Sequence, residues 1–146
     1  MFARLANGNV APARVIEGQA TNLSRTMHGI AYDDVNDEIV IPVALSGALL
    51  VFRGDAKGET PPVRTIQGTR THLVRPQTVA VDVKNDELWV ANYGDHTAVV
   101  FPRTASGNVR PRRIIRNAPK DTPTCGFTNA SAAAYDSKRD EILVPN

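Results

Sequence analysis

Three histidines, one cysteine and a run of four arginines are where this 146-residue sequence concentrates reactive side chains. His28, His72 and His96 invite a zinc hypothesis, because neutral imidazole is a good zinc ligand. None of them has a second histidine one helical turn away, and they do not share a position in the internal repeat described below, so no metal site is assigned. Cys125 is the sole cysteine, which excludes an internal disulfide and a cysteine-rich zinc site and leaves an idle thiol. The "RPRRIIR" segment at 110–116 is a basic patch suited to phosphate or an acidic glycan. Aromatics make up only 5% of the chain, too few to stack on many bases, and charges on an outer strand commonly block edge-to-edge association. Nucleic acid is therefore not the expected partner.

The carboxylates fall in columns rather than in one cluster. Asp33, Asp82 and Asp136 occupy one position of a repeat, and Glu38, Glu87 and Glu141 another. A residue present in every repeat is expected to build the repeat. Each Asp should cap a turn through backbone N–H groups. Arg14, Arg64 and Arg113 form a third column and are expected to bridge to the Glu column. Asn92 and Asn146 share a position that is Val43 in the first unit, and two amides without a carboxylate make a poor cation cage. No cofactor is expected.

These columns define the repeat. Phe2, Phe52 and Phe101 open three similar lines, "FARLANGNVAPARVIEG", "FRGDAKGETPPVRTIQG" and "FPRTASGNVRPRRIIRN", at spacings of 50 and 49 residues. The other half of each unit reads "IAYDDVNDEIVIP", "VAVDVKNDELWVA" and "AAYDSKRDEILVP". Each unit holds four short strand-like runs, a to d, separated by turn signals such as "DDVND" and "AKGETPP". In the first full unit these runs cover residues 30–33, 38–41, 48–53 and 63–66. Val, Ile, Leu and Ala dominate the apolar content of 42%, which suits many pleated strands better than a few helices. Four strands per unit of 40 to 50 residues is the signature of a propeller blade.

The repeat resembles the NHL-type propellers, and more closely an uncharacterised bacterial repeat group with the pattern "VFPRTASGNVxPxRxI" followed by "GIAVDxxxxEIxVAN". "VVFPRTASGNVRPRRII" and "VAVDVKNDELWVAN" fit that pattern closely, and "HGIAYDDVNDEIVIP" fits it well. The loop "NAPKDTPTCGFTN" at 117–129 fits least, being about five residues longer than its counterpart. The resemblance implies a β-propeller and carries no catalytic motif that maps onto these residues.

The expected architecture is all-β, a propeller with three four-stranded blades per chain. Full blades are expected at 28–68 and 77–117, with a third split between strands c and d at 1–18 and strands a and b at 131–146. Residues 44–51 have no counterpart across the split. A blade is apolar on both faces, and three blades cannot close a ring. A homodimer that joins the split blades into a six-bladed ring is the expected solution, and a fragment of a longer single-chain propeller is the alternative.

Charge and targeting signals add little. Net charge is +2, and Arg outnumbers Lys thirteen to four. "MFARLANGNV" lacks the pattern of a secretory signal, and no apolar run approaches the roughly 20 residues of a membrane span, so a soluble chain of unassigned compartment is expected.

Function is expected at the d-to-a and b-to-c connections, which gather on one face of a propeller. The candidate ligand-binding residues there are His28, Arg75, Gln77 and Asn92, together with Tyr93, His96, Asn129 and Asn146. The leading expectation is a non-enzymatic scaffold that binds a small molecule, a glycan or a protein. The alternative is a propeller lyase or lactonase-like hydrolase with a channel metal, or with His28 or His96 as acid/base. A part-propeller whose only property is assembly is a third reading.

Overall fold

The computed structural model describes residues 1–25, 27–116 and 132–144. Among them the fold is all-β, with three antiparallel sheets of four, four and two strands and no α-helix. The first sheet runs in order β1 (Ala31–Asp33), β2 (Glu38–Val43), β3 (Ala48–Arg53) and β4 (Arg64–Gln67). The second repeats the order with β5 (Pro76–Asp82), β6 (Glu87–Asn92), β7 (Thr97–Pro102) and β8 (Arg113–Ile115). β9 (Ala134–Asp136) and β10 (Glu141–Leu143) form the third. No helix among the described residues is long and apolar enough to cross a membrane.

The strands form where β-branched and apolar residues run together, and the central ones are buried on both faces. β2 reads EIVIPV and β3 ALLVFR, and nearly every position of both is inaccessible. Alternate side chains therefore enter different cores. Ile39, Ile41, Val43, Leu50 and Phe52 fill one side of the first sheet, with Ile16 and Leu23 packed against them. Val40, Leu49, Val51 and Ile66 fill the other, meeting Val79, Leu88, Val90, Val99 and Phe101 of the second sheet. The two full sheets are stacked face to face on a shared core.

The repeated aspartates cap the a–b hairpins. Asp33 Oδ1 accepts from the backbone N–H of Val35 and Asn36 at 3.1 and 3.0 Å. Asp82 accepts from Asn85 N at 2.9 Å, and Asp136 from Lys138 N at 2.9 Å. Each hairpin closes on another aspartate in the left-handed region, Asp37, Asp86 or Asp140, with φ between 52° and 59°. Short polar side chains tolerate that conformation at least cost.

The sheets are also tied at their outer strands. Ile66 forms a parallel bridge with Gly107, where Gly107 N donates to Thr65 O at 2.7 Å. One unit earlier, Ile16 bridges Gly58, with Gly58 N donating to Val15 O at 2.7 Å. Both glycines sit at positive φ, 76° and 56°, which lets the loop turn its N–H onto the neighbouring strand.

Residues 1–18, expected to carry strands c and d, form no ladder beyond the Ile16 bridge. The physical reason is pairing. A c strand needs a b strand beside it, and among the described residues β2 and β6 are already paired on both edges while β10 pairs only with β9.

Candidate functional site

The d-to-a and b-to-c connections meet at the end of the sheets where β2 and β6 finish. Asn92, at the end of β6, is fully buried. Its Nδ2 donates to His72 O at 2.7 Å and to Thr97 Oγ1 at 3.1 Å, and its Oδ1 accepts from Val74 N at 3.2 Å. Asn92 thus clamps the 71–75 loop onto the second sheet, and its polar atoms are spent on that clamp. Tyr93 N donates to Arg75 O at 3.2 Å and Gly94 N to Val74 O at 3.0 Å, extending the seam.

The inner strands come close at the same end. A Cβ on Gly29 would lie 2.8 Å from Gln77 O and 2.9 Å from Thr78 Cα, so the backbone beside His28 presses directly on β5. His28, with Met27, Gly29, Ile30 and Ile41, lines a shallow cavity of about 300 Å3. His96 is exposed on the turn between β6 and β7. Arg75, His72 and His96 hold φ of 48°, 55° and 56°, an uncommon backbone for residues of this size and one found where loops are held in defined shapes.

Of the residues expected to bind, the structure joins Arg75 to Tyr93 and places Gln77 beside the backbone that follows His28. Asn92 turns inward to support them. Asn129 and Asn146 lie outside the described residues. Among the described residues, no group of three His, Cys, Asp or Glu side chains is arranged to hold a metal. The side chains presented on this face include the exposed guanidinium of Arg75, phenol of Tyr93, carboxylate of Asp95 and three imidazoles, with the half-buried amide of Gln77, which can bind by hydrogen bonds and ionic contact.

Replacing Asn92 with Ala should cost about 1–3 kcal/mol, because it takes away the acceptor of the part-buried Val74 N–H and the donors to His72 O and Thr97 Oγ1. The expected readout is a lower urea midpoint with an unchanged slope, together with faster amide exchange at Val74. A stability within experimental error of the parent would refute the clamp.

The densest ionic chemistry lies at the opposite end, around the a–b hairpins. Arg64 grips Glu38 with two parallel bonds of 2.7 Å, as the repeat columns predict. Arg103 joins them from the second sheet, 2.6 Å from Asp86, 3.2 Å from Glu38 and 3.9 Å from Asp33. Burial alone would lower the Arg103 pKa, but the bond to Asp86 and the charges of Glu38 and Asp33 reverse this and raise it. The sequence reading missed Arg103. The available signal was an Arg two residues after Phe101, matched by Arg4 after Phe2.

One unit later Arg113 pairs with Glu87 and stacks over the Trp89 ring at 5.0 Å, while Arg112 lies 3.4 Å from Glu87. The Asp136 pKa is lowered by bonds from Arg139 and the Lys138 amide. That of Asp140 is lowered by bonds from Lys84, Tyr135 and Asn85. The Tyr135 pKa is raised by desolvation and then by its bond to Asp140, and that of Tyr32 by its bond to Asp37.

No protein-family model matches the chain, and comparison with curated proteins finds no match.

Proposed function

We propose that this protein is a non-enzymatic binding scaffold, a six-bladed β-propeller built from two copies of the chain, which takes its ligand at the loop face carrying His28, Arg75, Gln77, Tyr93 and His96. One observation carries the assembly. Residues 14–17 sit on the first sheet with the same backbone bonds that β4 makes to the second sheet, although they have no sheet of their own. A stack in which one unit supplies an outer strand at one side and an inner hairpin at the other suits a repeating ring whose remaining blades come from a second copy. Exposed apolar side chains agree with uncovered flanks: Phe2 and Leu5 at one end of the stack are 63% and 79% accessible, and Leu143 at the other is 54% accessible.

On the loop face, Arg75 has no carboxylate within ion-pair distance among the described residues. Together with Gln77 and Tyr93 it offers a charge, an amide and an aromatic edge on backbone held by Asn92. Such a set fits a polar small molecule or a glycan better than an apolar one.

Sedimentation equilibrium at micromolar concentration is expected to give twice the chain mass. A glycan array and a panel of polar metabolites should then yield a ligand whose binding is lost in Arg75→Ala and Tyr93→Ala. A well-folded monomer would overturn the two-copy ring, and a ligand indifferent to both substitutions would overturn the loop-face site.

A further inference from the structure

The ionic joint between the first and second sheets has three parts. Arg64 binds Glu38 and also donates to Arg103 O at 3.3 Å. Arg103 fills the space among Asp33, Glu38 and Asp86. Phe101 lies fully buried opposite Leu88 in the core the two sheets share, and Phe52, one unit earlier, lies fully buried opposite Ile39 in the core on the other face of the first sheet.

Half of this joint recurs at residues 1–18. Arg14 donates to Gly54 O at 2.6 Å and to Ala56 O at 3.2 Å. Gly54 takes the place of Arg103, since its N–H donates to Asp37 O as that of Arg103 donates to Asp86 O. Yet Arg14 has no carboxylate within ion-pair distance among the described residues, and neither has the exposed Arg4. Phe2, in the column of the two buried phenylalanines, is 63% accessible.

The other half recurs at the third sheet. Glu141 stands in the column of Glu38 and Glu87, is exposed, and has no cation within ion-pair distance among the described residues. Asp82, Glu87 and Asp140 border a cavity of about 400 Å3 in the position that Arg103 fills one unit earlier. β10 pairs only with β9 among the described residues, so its outer edge is open, and Leu143 on it is 54% accessible. Cations and a phenylalanine without sockets lie at one flank, with matching anions and an open edge at the other. The two full sheets stand between them.

We infer that the two halves form one intermolecular joint: residues 1–18 of a second copy of this chain lie antiparallel along the free edge of β10, with Phe2 opposite Ile142, Arg14 on Glu141 and Arg4 in the cavity of Asp82, Glu87 and Asp140. The register follows from the pairs Ile39–Phe52 and Leu88–Phe101. This inference rests on the two-copy reading above and deepens it by naming the residues that join the copies. Arg14 contributes more than Arg4, because Lys84 already lies 2.6 Å from Asp140 and neutralises part of the cavity. A two-fold ring holds the joint twice, so each substitution acts twice.

The test is the dimer dissociation constant, measured by sedimentation equilibrium for the parent, Arg14→Glu, Glu141→Arg, the double variant and Arg4→Glu. Each of the first two single variants is expected to raise it about a hundredfold, because like charges then face each other at both joints. The double variant should return to within about threefold of the parent, a rescue that misfolding cannot produce. Arg4→Glu should raise the constant about tenfold. A dimeric parent whose affinity is unchanged in the single variants would overturn the joint while leaving the two-copy assembly standing. A folded, monomeric parent would overturn the assembly, and the joint with it.

Discussion

Phe101→Ala is expected to lower the free energy of unfolding by about 3–5 kcal/mol, a large share of the 5–15 kcal/mol typical of a small domain. Phe101 is fully buried on β7 and belongs to the core that Leu49, Val51 and Ile66 of the first sheet share with Leu88, Val90 and Val99 of the second. Those side chains come from two stacked sheets whose backbones are locked in ladders, so the cavity cannot collapse easily. Urea denaturation followed by circular dichroism should show a midpoint lower by one or more molar, given a slope of about 1–3 kcal/mol per molar. Phe2→Ala provides the control. At 63% accessibility Phe2 contributes little to the chain's own core, so its loss should matter only in proportion to protein concentration, through assembly. A Phe101→Ala protein as stable as the parent would remove the shared core from the account.

The second large effect is electrostatic. Glu38→Ala is expected to cost about 3–5 kcal/mol at neutral pH, because it leaves the Arg64 guanidinium, with only 20% of its side-chain surface in water, without a carboxylate partner and takes one of three carboxylates from Arg103, which is only 15% exposed. Arg64 would lose both of its bonds to Glu38, and Arg103 would keep Asp86 as its close partner. Glu38→Gln should cost less, since an amide oxygen can still accept from one guanidinium. Burial decides the size of the effect. Asp55, paired with Arg53 at 3.2 Å but 72% exposed, should tolerate replacement by Ala within about 0.5 kcal/mol. Equilibrium unfolding of the three variants side by side checks the order, and a loss below about 1 kcal/mol for Glu38→Ala would contradict it.

Several features of the candidate site were legible in the residues and several were not. The gathering of the d-to-a and b-to-c connections follows from strand order, which the repeat reveals, and Tyr93 and Arg75 do meet there. Asn92 has a different role from the one expected, because an amide at a strand end looks the same in sequence whether it faces a ligand or clamps a loop. Its orientation depends on where the 71–75 backbone passes. Arg103 was missed for a similar reason. Its carboxylate partners Asp33 and Glu38 are 70 and 65 residues away, and no local pattern links them.

By itself the sequence determined the all-β class, the four-run unit, the strand order within each full sheet, the aspartate turn caps and the Arg64–Glu38 and Arg113–Glu87 pairs. These depend on side-chain alternation, turn chemistry and neighbouring strands of one unit, which act over a few tens of residues. Only the tertiary structure decided that residues 14–17 lie against the first sheet without forming a strand, that Asn92 faces inward, and that Arg103 is shared between two sheets. Those outcomes depend on which surface the neighbouring unit presents. A strand with no ladder partner, a buried amide and a bridging guanidinium each take their state from groups distant in the chain.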